Sequence, residues 1–207
     1  MHRKIGLSFA ILLGLATVAQ ASATLVGGFH VLAANTNGGP QNTIQISISG
    51  NDANIAGAVI NAQVADGGPL VGGSIIGPGF TGNMTAPGSL FATNNTGISD
   101  LNPGFVNGNQ IVLLQTSTAS GVVSDVGGAL LVTLTFDTTG FFEGTWPLLF
   151  SGTVNGDTGI GSTAGIIPLE ITNGTLWLDP EPSSLVLALL AAASLAAIKW
   201  RRWRFAG

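Results

Sequence analysis

The sequence contains no cysteine and no tyrosine, and only 8% of its 207 residues are charged. Without cysteine the chain forms no disulfide and offers neither a thiolate nucleophile nor a cysteine-ligated metal site. This composition is compatible with export but does not establish it. The 31 glycines predict many turns and short structural elements.

Lysine and arginine are missing from the whole interior of the chain. The six basic residues lie at the two ends: Arg3, Lys4, Lys199, Arg201, Arg202 and Arg204. The segment 24–179 instead carries nine of the ten acidic residues. Phosphate binding requires clustered Lys and Arg on the binding domain, so no nucleic acid partner is expected. A P-loop is excluded for the same reason, because it needs a lysine.

The residues of common catalytic sites are scarce. Beyond residue 23 one histidine remains, His30, in an apolar run where a packed or exposed strand histidine is the expected role. A Ser–His–Asp triad would have to use it, and no Gly-x-Ser-x-Gly elbow is present. Zinc is disfavoured with one His and no Cys. We therefore predict no catalytic residue and a protein that is not an enzyme.

The N-terminal segment, MHRKIGLSFAILLGLATVAQASA, has a basic start, an apolar run over residues 5–18 and small residues at 21–23. This pattern predicts a secretory signal peptide over residues 1–23, cleaved after Ala23. An uncleaved membrane anchor or a buried helix is the alternative. The signal peptide makes the export translocon an expected partner.

The C-terminal segment contains an apolar run that begins at Leu185 and ends at Ile198. Fourteen helical residues rise about 21 Å, which is less than the roughly 30 Å hydrocarbon core, and flanking serines and tryptophans can extend the span into the interfaces. A core helix is the alternative, but such a helix would have a polar face and this run has none. We predict one transmembrane helix, held by a cytoplasmic basic anchor of Lys199, Arg201, Arg202 and Arg204.

The step before this helix is Pro180-Glu181-Pro182. Each proline fixes its own φ and restricts the backbone of the residue before it, so the step is expected to be a stiff, extended segment that presents one carboxylate. The alternative is that Pro182 and the serines after it merely start the helix.

Together with the apolar helix and the arginine-rich end, residues 179–204 resemble the PEP-CTERM sorting signal. The resemblance implies sorting by an exosortase, a membrane-embedded partner of cysteine-protease type, with Pro180, Glu181 and Pro182 as recognition residues. It also implies an envelope with an outer membrane and an association with exopolysaccharide and biofilm matrix. The protein would be held transiently at the inner membrane and then reach the cell surface or the exterior.

The middle segment, residues 24–178, reads as short alternating or apolar runs separated by Gly, Asn, Asp and Pro. It predicts an all-β ectodomain, a two-sheet sandwich or jelly roll, flanked by the N-terminal signal helix and the C-terminal transmembrane helix. About eight strands are expected, over residues 24–34, 42–49, 54–64, 74–80, 109–117, 128–137, 144–154 and 169–178. Asn173-Gly174 is the predicted two-residue turn of a hairpin.

Two stretches of this segment, ISGNDANIAGAVINAQV and GALLVTLTFDTTGFFEGTW, resemble in layout the cohesin-like sandwiches of exported bacterial proteins. In those sandwiches a first strand pair is followed by an aliphatic strand that ends in a polar turn. The resemblance implies a surface binding module rather than an enzyme. It does not identify a dockerin partner.

Three kinds of ligand remain open for the ectodomain. Calcium is possible at the Gly-containing turns of Asp52, Asp137 and Asp157, although Asp favours turns in any case. Sugar stacking is possible on exposed aromatic rings, with Trp146, Trp177, Phe141 and Phe142 as the candidates, Phe142 and Trp146 foremost, and core packing as the alternative for both tryptophans. Glycoside hydrolysis would need a carboxylate pair, drawn from Asp137, Glu143 and Glu170.

Overall fold

A computed structural model describes residues 23–50, 54–100 and 110–179. Residues 1–22 of the predicted signal peptide, the sorting motif, the predicted C-terminal helix and Asp52 lie outside the described residues, whereas Ala23 is described. Within these ranges the chain forms thirteen strands and two short 3-10 helices. None of the helices in this part is long and apolar enough to cross a bilayer. The predicted all-β, two-sheet sandwich is confirmed.

Short turns join many of the elements, but residues 84–98 and 118–128 form longer connections. The elements are β1 (Ala23–Val26), β2 (Phe29–Ala33), η1 (Pro40–Asn42), β3 (Thr43–Ser49), β4 (Ile55–Val64), η2 (Pro69–Val71), β5 (Gly79–Asn83), β6 (Ser99–Asp100), β7 (Ile111–Ser117), β8 (Ala129–Asp137), β9 (Gly144–Leu149), β10 (Gly159–Ser162), β11 (Gly165–Ile167), β12 (Leu169–Thr172) and β13 (Gly174–Asp179).

The first sheet has five strands in the order β12-β1-β3-β8-β5. Its central strand β3 alternates as the sequence predicts, with Ile44, Ile46 and Ile48 buried and the residues between them exposed. This period of two places one apolar face against the second sheet. Phe80 and Phe136 stack across β5 and β8 with ring centroids 5.0 Å apart, and they anchor that edge of the core.

The second sheet runs in the order β11-β10-β4-β9-β13-β2, with β7 on the other edge of β4 and β6 beside β7. Strand β4 is its centre. One edge of β4 pairs with β7 from Gly57 to Gln63, and the opposite edge pairs first with β10 and then with β9. Residues 150–158 therefore leave the sheet between two strands that share one edge of β4.

The chain passes from one sheet to the other at two adjacent points. Strands β1 and β12 pair in parallel in the first sheet, and their continuations β2 and β13 pair in parallel in the second. At the crossing a Cβ on Gly27 would lie 2.4 Å from the nitrogen of Gly174, so the two backbones touch. The predicted hairpin at Asn173-Gly174 is wrong, because the strands on either side of Asn173 belong to different sheets.

The predicted strand over residues 74–80 is displaced, and β5 begins only at Gly79. The reason lies in Asp66, whose Oδ2 accepts hydrogen bonds from the backbone nitrogens of Ser74 (2.7 Å) and Ile75 (2.8 Å). These two amides therefore bind a carboxylate instead of a neighbouring strand. The two bonds hold the pKa of Asp66 below its ordinary value.

A candidate binding groove

A groove of about 420 Å³ lies on the outer face of the eight-stranded sheet. The pairing register of the strands forms this groove, because it aligns outward-facing residues of β7, β4, β10 and β11 in one row across the sheet. That row is Ser117, Gly57, Gly161 and Ile166. A second row, Gln115, Val59 and Gly159, runs beside the first.

The floor of the groove is open because of its glycines. A Cβ on Gly159 would meet no atom within 4 Å, and a Cβ on Gly161 would meet only the carbonyl oxygen of Gly165 at 4.0 Å. Neither residue has a left-handed φ. The fold therefore does not require glycine at these positions, and glycine in a strand weakens the strand. The two glycines leave the groove free of side chains that would otherwise fill it.

The walls of the groove differ in chemistry. Ile166 on β11 is 84% exposed, whereas Gln115 and Ser117 line the β7 side and Asp157 lies at one end. Three strand spacings separate β7 from β11, or about 14 Å. An extended segment fits that width. The mostly apolar lining suits an aliphatic side chain, and Asp157 offers an acceptor to a donor beside it.

The segment that carries Asp157 is fixed to β4 by buried polar side chains. Asn61 Nδ2 donates to the carbonyl of Gly156 (2.7 Å), and Gln63 Oε1 accepts from the backbone nitrogen of Val154 (2.9 Å). The Thr158 hydroxyl accepts from the backbone nitrogen of Asn61 at 3.0 Å. Asn61 and Gln63 are buried on the outward side of β4, and they hold one end of the groove in place.

The two foremost predicted stacking residues, Phe142 and Trp146, do not share a surface. Phe142 is 64% exposed, but Trp146 is only 8% exposed. The Trp146 ring packs edge-on against Phe141 at 5.7 Å, and its Nε1 donates to the carbonyl of Ile76 at 3.2 Å. Trp146 therefore fills the end of the core, as its alternative role required, and offers little ring surface to a sugar.

Trp177, another predicted stacking residue, forms an aromatic pair with Phe29 on the outside of the second sheet. Trp177 on β13 is 36% exposed, and Phe29 on the edge strand β2 is 64% exposed. Register puts Thr175 opposite Phe29 and Trp177 opposite Val31, which is 49% exposed. Phe29 and Trp177 are thus diagonal neighbours on parallel strands, and the strand spacing with the rise over two residues puts their Cα atoms about 8 Å apart.

The predicted calcium and hydrolase residues are dispersed. Asp137 Oδ1 accepts from the Thr139 backbone nitrogen (2.9 Å) and Asp157 Oδ1 from that of Gly152 (2.7 Å), so each stabilises its own turn. Asp137 ends β8 in the first sheet, whereas Asp157 lies in the segment before β10 of the second sheet. Within the described ranges no group of three or more His, Cys, Asp or Glu side chains is placed to hold a metal.

Among the glycosidase candidates, Glu170 lies on β12, three strand positions from Asp137 on β8. That separation is about 14 Å, beyond the roughly 5–9.5 Å that a catalytic carboxylate pair spans. Glu143 lies between β8 and β9, at the end of the sandwich where β8 terminates. Asp137 and Glu170 therefore do not form a hydrolytic pair.

No family model matches the chain, and no curated protein matches it at a significant level. Among solved structures it is similar to a non-cellulosomal cohesin from Archaeoglobus fulgidus (13% identity, TM-score 0.47, covering 79% of this chain and 95% of that one). It is also similar to the seventh ScaB type I cohesin from Pseudobacteroides cellulosolvens (11% identity, TM-score 0.48, covering 76% and 92%).

A third similar structure is the type III cohesin module of the ScaE cell-surface anchoring scaffoldin from Ruminococcus flavefaciens (8% identity, TM-score 0.45, covering 77% of this chain and 88% of that one). All three are cohesin modules, the group that the middle segment resembles in its sequence layout. At these identities and TM-scores the likeness is one of general strand arrangement.

Proposed function

We propose that this chain is an exported, non-catalytic binding protein of the cell surface or extracellular matrix. An exosortase sorts it through the Pro-Glu-Pro tail, and the groove on the eight-stranded sheet holds an extended segment of a protein partner. The open glycine floor at Gly159 and Gly161 is the observation that carries the binding role. Strands filled by larger residues would be as compatible with the backbone and more favourable for the sheet.

The sorting role is supported by the position of the Pro-Glu-Pro step in the sequence. Strand β13 lies between β9 and β2, and its last residue is Asp179. The next three residues are Pro180, Glu181 and Pro182. The Pro-Glu-Pro step thus directly follows β13 in the sequence, and its two prolines favour the extended backbone that a peptide-recognising enzyme can bind at little ordering cost. The charge asymmetry of the chain supports translocation of the middle segment.

The chemistry of the partner follows from charge. Residues 24–179 contain no Lys or Arg and nine acidic residues. A complementary segment therefore carries an aliphatic residue for the groove and a basic residue beside it, facing Asp157. Exopolysaccharide in the matrix is the surrounding medium of this protein and not the ligand of the groove.

Fractionation of the native host tests the sorting role. The wild-type protein is expected outside the inner membrane, and a chain lacking residues 180–207 or carrying Glu181→Gln is expected to be missorted. Glu170→Gln, which removes an acid from β12, is the matched control and should sort normally. Protein that stays in the inner membrane with its tail intact through Gly207 would refute the sorting role.

A carbohydrate-binding module is the second candidate, and the exposed Phe29–Trp177 pair favours it. Diagonal rings on a flat sheet face can stack on successive sugar units. Glycan-array binding that is lost in Trp177→Ala and in Phe29→Ala, but retained in Phe142→Ala, would support this candidate. Loss of binding in Phe142→Ala alone would place the sugar at the other end of the sandwich.

A further inference from the structure

The first residue of the sandwich, Ala23, is fully buried. It begins β1 and pairs with Leu169 of the parallel strand β12. Its backbone nitrogen donates to the carbonyl of Pro168 at 3.0 Å. On the opposite side Gly50 approaches so closely that a Cβ there would lie 3.2 Å from the Ala23 Cα. Ala23 is therefore enclosed on two sides and belongs to the folded domain.

The sequence offers signal peptidase two overlapping sites. Small residues at the first and third positions before the cut define such a site. Ala21-Ser22-Ala23 meets this rule, and so does Ala19-Gln20-Ala21. The pattern alone does not separate the two sites, which differ by two residues in the product.

We propose that the cut falls after Ala21 and that the mature protein begins at Ser22. This inference rests on the proposed export of the chain. A cut after Ala23 would delete the first residue of β1, its bond to Pro168 and a buried methyl group at the junction of β1, β12 and Gly50. A cut after Ala21 keeps Ala23 and with it all of β1 as described, Ala23–Val26.

Intact mass and N-terminal sequencing of the exported protein from its native host decide the point. A chain that begins at Ser22 confirms the inference. A chain that begins at Thr24 overturns the inference but leaves export standing. A chain that still begins at Met1 overturns both, so the failure of the proposed export is distinguishable from the failure of the cleavage site.

A variant in the leader gives a second readout that cannot disturb the folded domain. Ala19→Leu changes only the site Ala19-Gln20-Ala21, and residue 19 is removed whichever of the two sites is cut. Loss of the Ser22 product in this variant supports the inference. Unchanged processing to the wild-type product contradicts it. Ala16→Leu lies at neither site and is the matched control, for which normal processing is expected.

Discussion

Replacing Thr138 by valine should destabilise the sandwich strongly, because its hydroxyl joins three segments. Thr138 Oγ1 accepts from the Thr36 backbone nitrogen (3.0 Å) and from Asn42 Nδ2 (3.0 Å), and it donates to the carbonyl of Ala33 (2.8 Å). Thr138 and Asn42 are both fully buried. The hydroxyl thereby ties the end of β8 to the end of β2 and to η1.

Valine keeps the shape of threonine and removes only these bonds. Asn42 Nδ2 retains the Thr36 hydroxyl at 2.6 Å, so the main losses are the partners of the Thr36 nitrogen and of the Ala33 carbonyl. Both groups belong to half-buried residues, so each one left without its partner costs about 1.5 kcal/mol, in the lower part of the range for unsatisfied groups, which gives a total of about 3 kcal/mol. For a domain of this size, 1 kcal/mol shifts Tm by about 2–4 °C, so Tm should fall by roughly 6–12 °C.

Thermal unfolding of the purified mature protein, followed by circular dichroism, measures this change. Thr139→Val is the matched control, because Thr139 is the exposed neighbour and its substitution should shift Tm by no more than about 2 °C. A Thr138→Val protein as stable as the control would refute the reasoning, since the buried hydroxyl would then contribute nothing.

Three further substitutions test separate parts of the structure. Because the pKa of Asp66 is lowered from 3.8, its carboxylate adds stability above that pH and loses it as pH falls through the lower folded value. Urea unfolding at pH 6 and pH 3 should therefore show a smaller acid-induced loss for Asp66→Asn than for wild type, and an equal loss would count against the carboxylate's role. Gly144→Ala should lower Tm, because φ is +148° and a Cβ would lie against the Trp146 ring; an unchanged Tm would contradict the packing. Asn173→Ala removes the acceptor of the Phe150 nitrogen (2.8 Å), so hydrogen exchange at Phe150 should accelerate about five- to tenfold, and unaltered exchange would contradict that contact.

The fold class was predictable because its signals are local. Ile44, Ile46 and Ile48 alternate within one strand, and this period of two survives in the buried face of β3. The crossing at Asn173 was not predictable in the same way. Asn-Gly is a common hairpin turn, and only the pairing of β12 with β1 and of β13 with β2, strands from the other end of the chain, makes it a passage between sheets.

The groove was missed for a related reason. Gly159 and Gly161 follow a polar stretch and read as loop, since glycine is a turn signal when its partners are unknown. Their role depends on Gly57 and Val59, about a hundred positions earlier in the chain. The burial of Trp146 was not predictable either. A tryptophan in a predicted strand can point to either face of the sheet, and here the strand pairing places its ring on the inner face.

The central claim is that the groove binds a partner, and one measurement tests it directly. A photo-crosslinking amino acid at Ser117, on the groove wall, is introduced into the full chain in the native host, with the same probe at Gln45 on the exposed face of β3 as the control position. A Cβ at residue 161 would meet only the Gly165 carbonyl oxygen at 4.0 Å, so Gly161→Val should narrow the groove and leave Tm unchanged or higher. The account predicts a protein adduct at Ser117 that disappears in the Gly161→Val chain, while the Gln45 pattern stays the same. An adduct at Ser117 that persists in Gly161→Val, or no adduct there at all, would contradict the account.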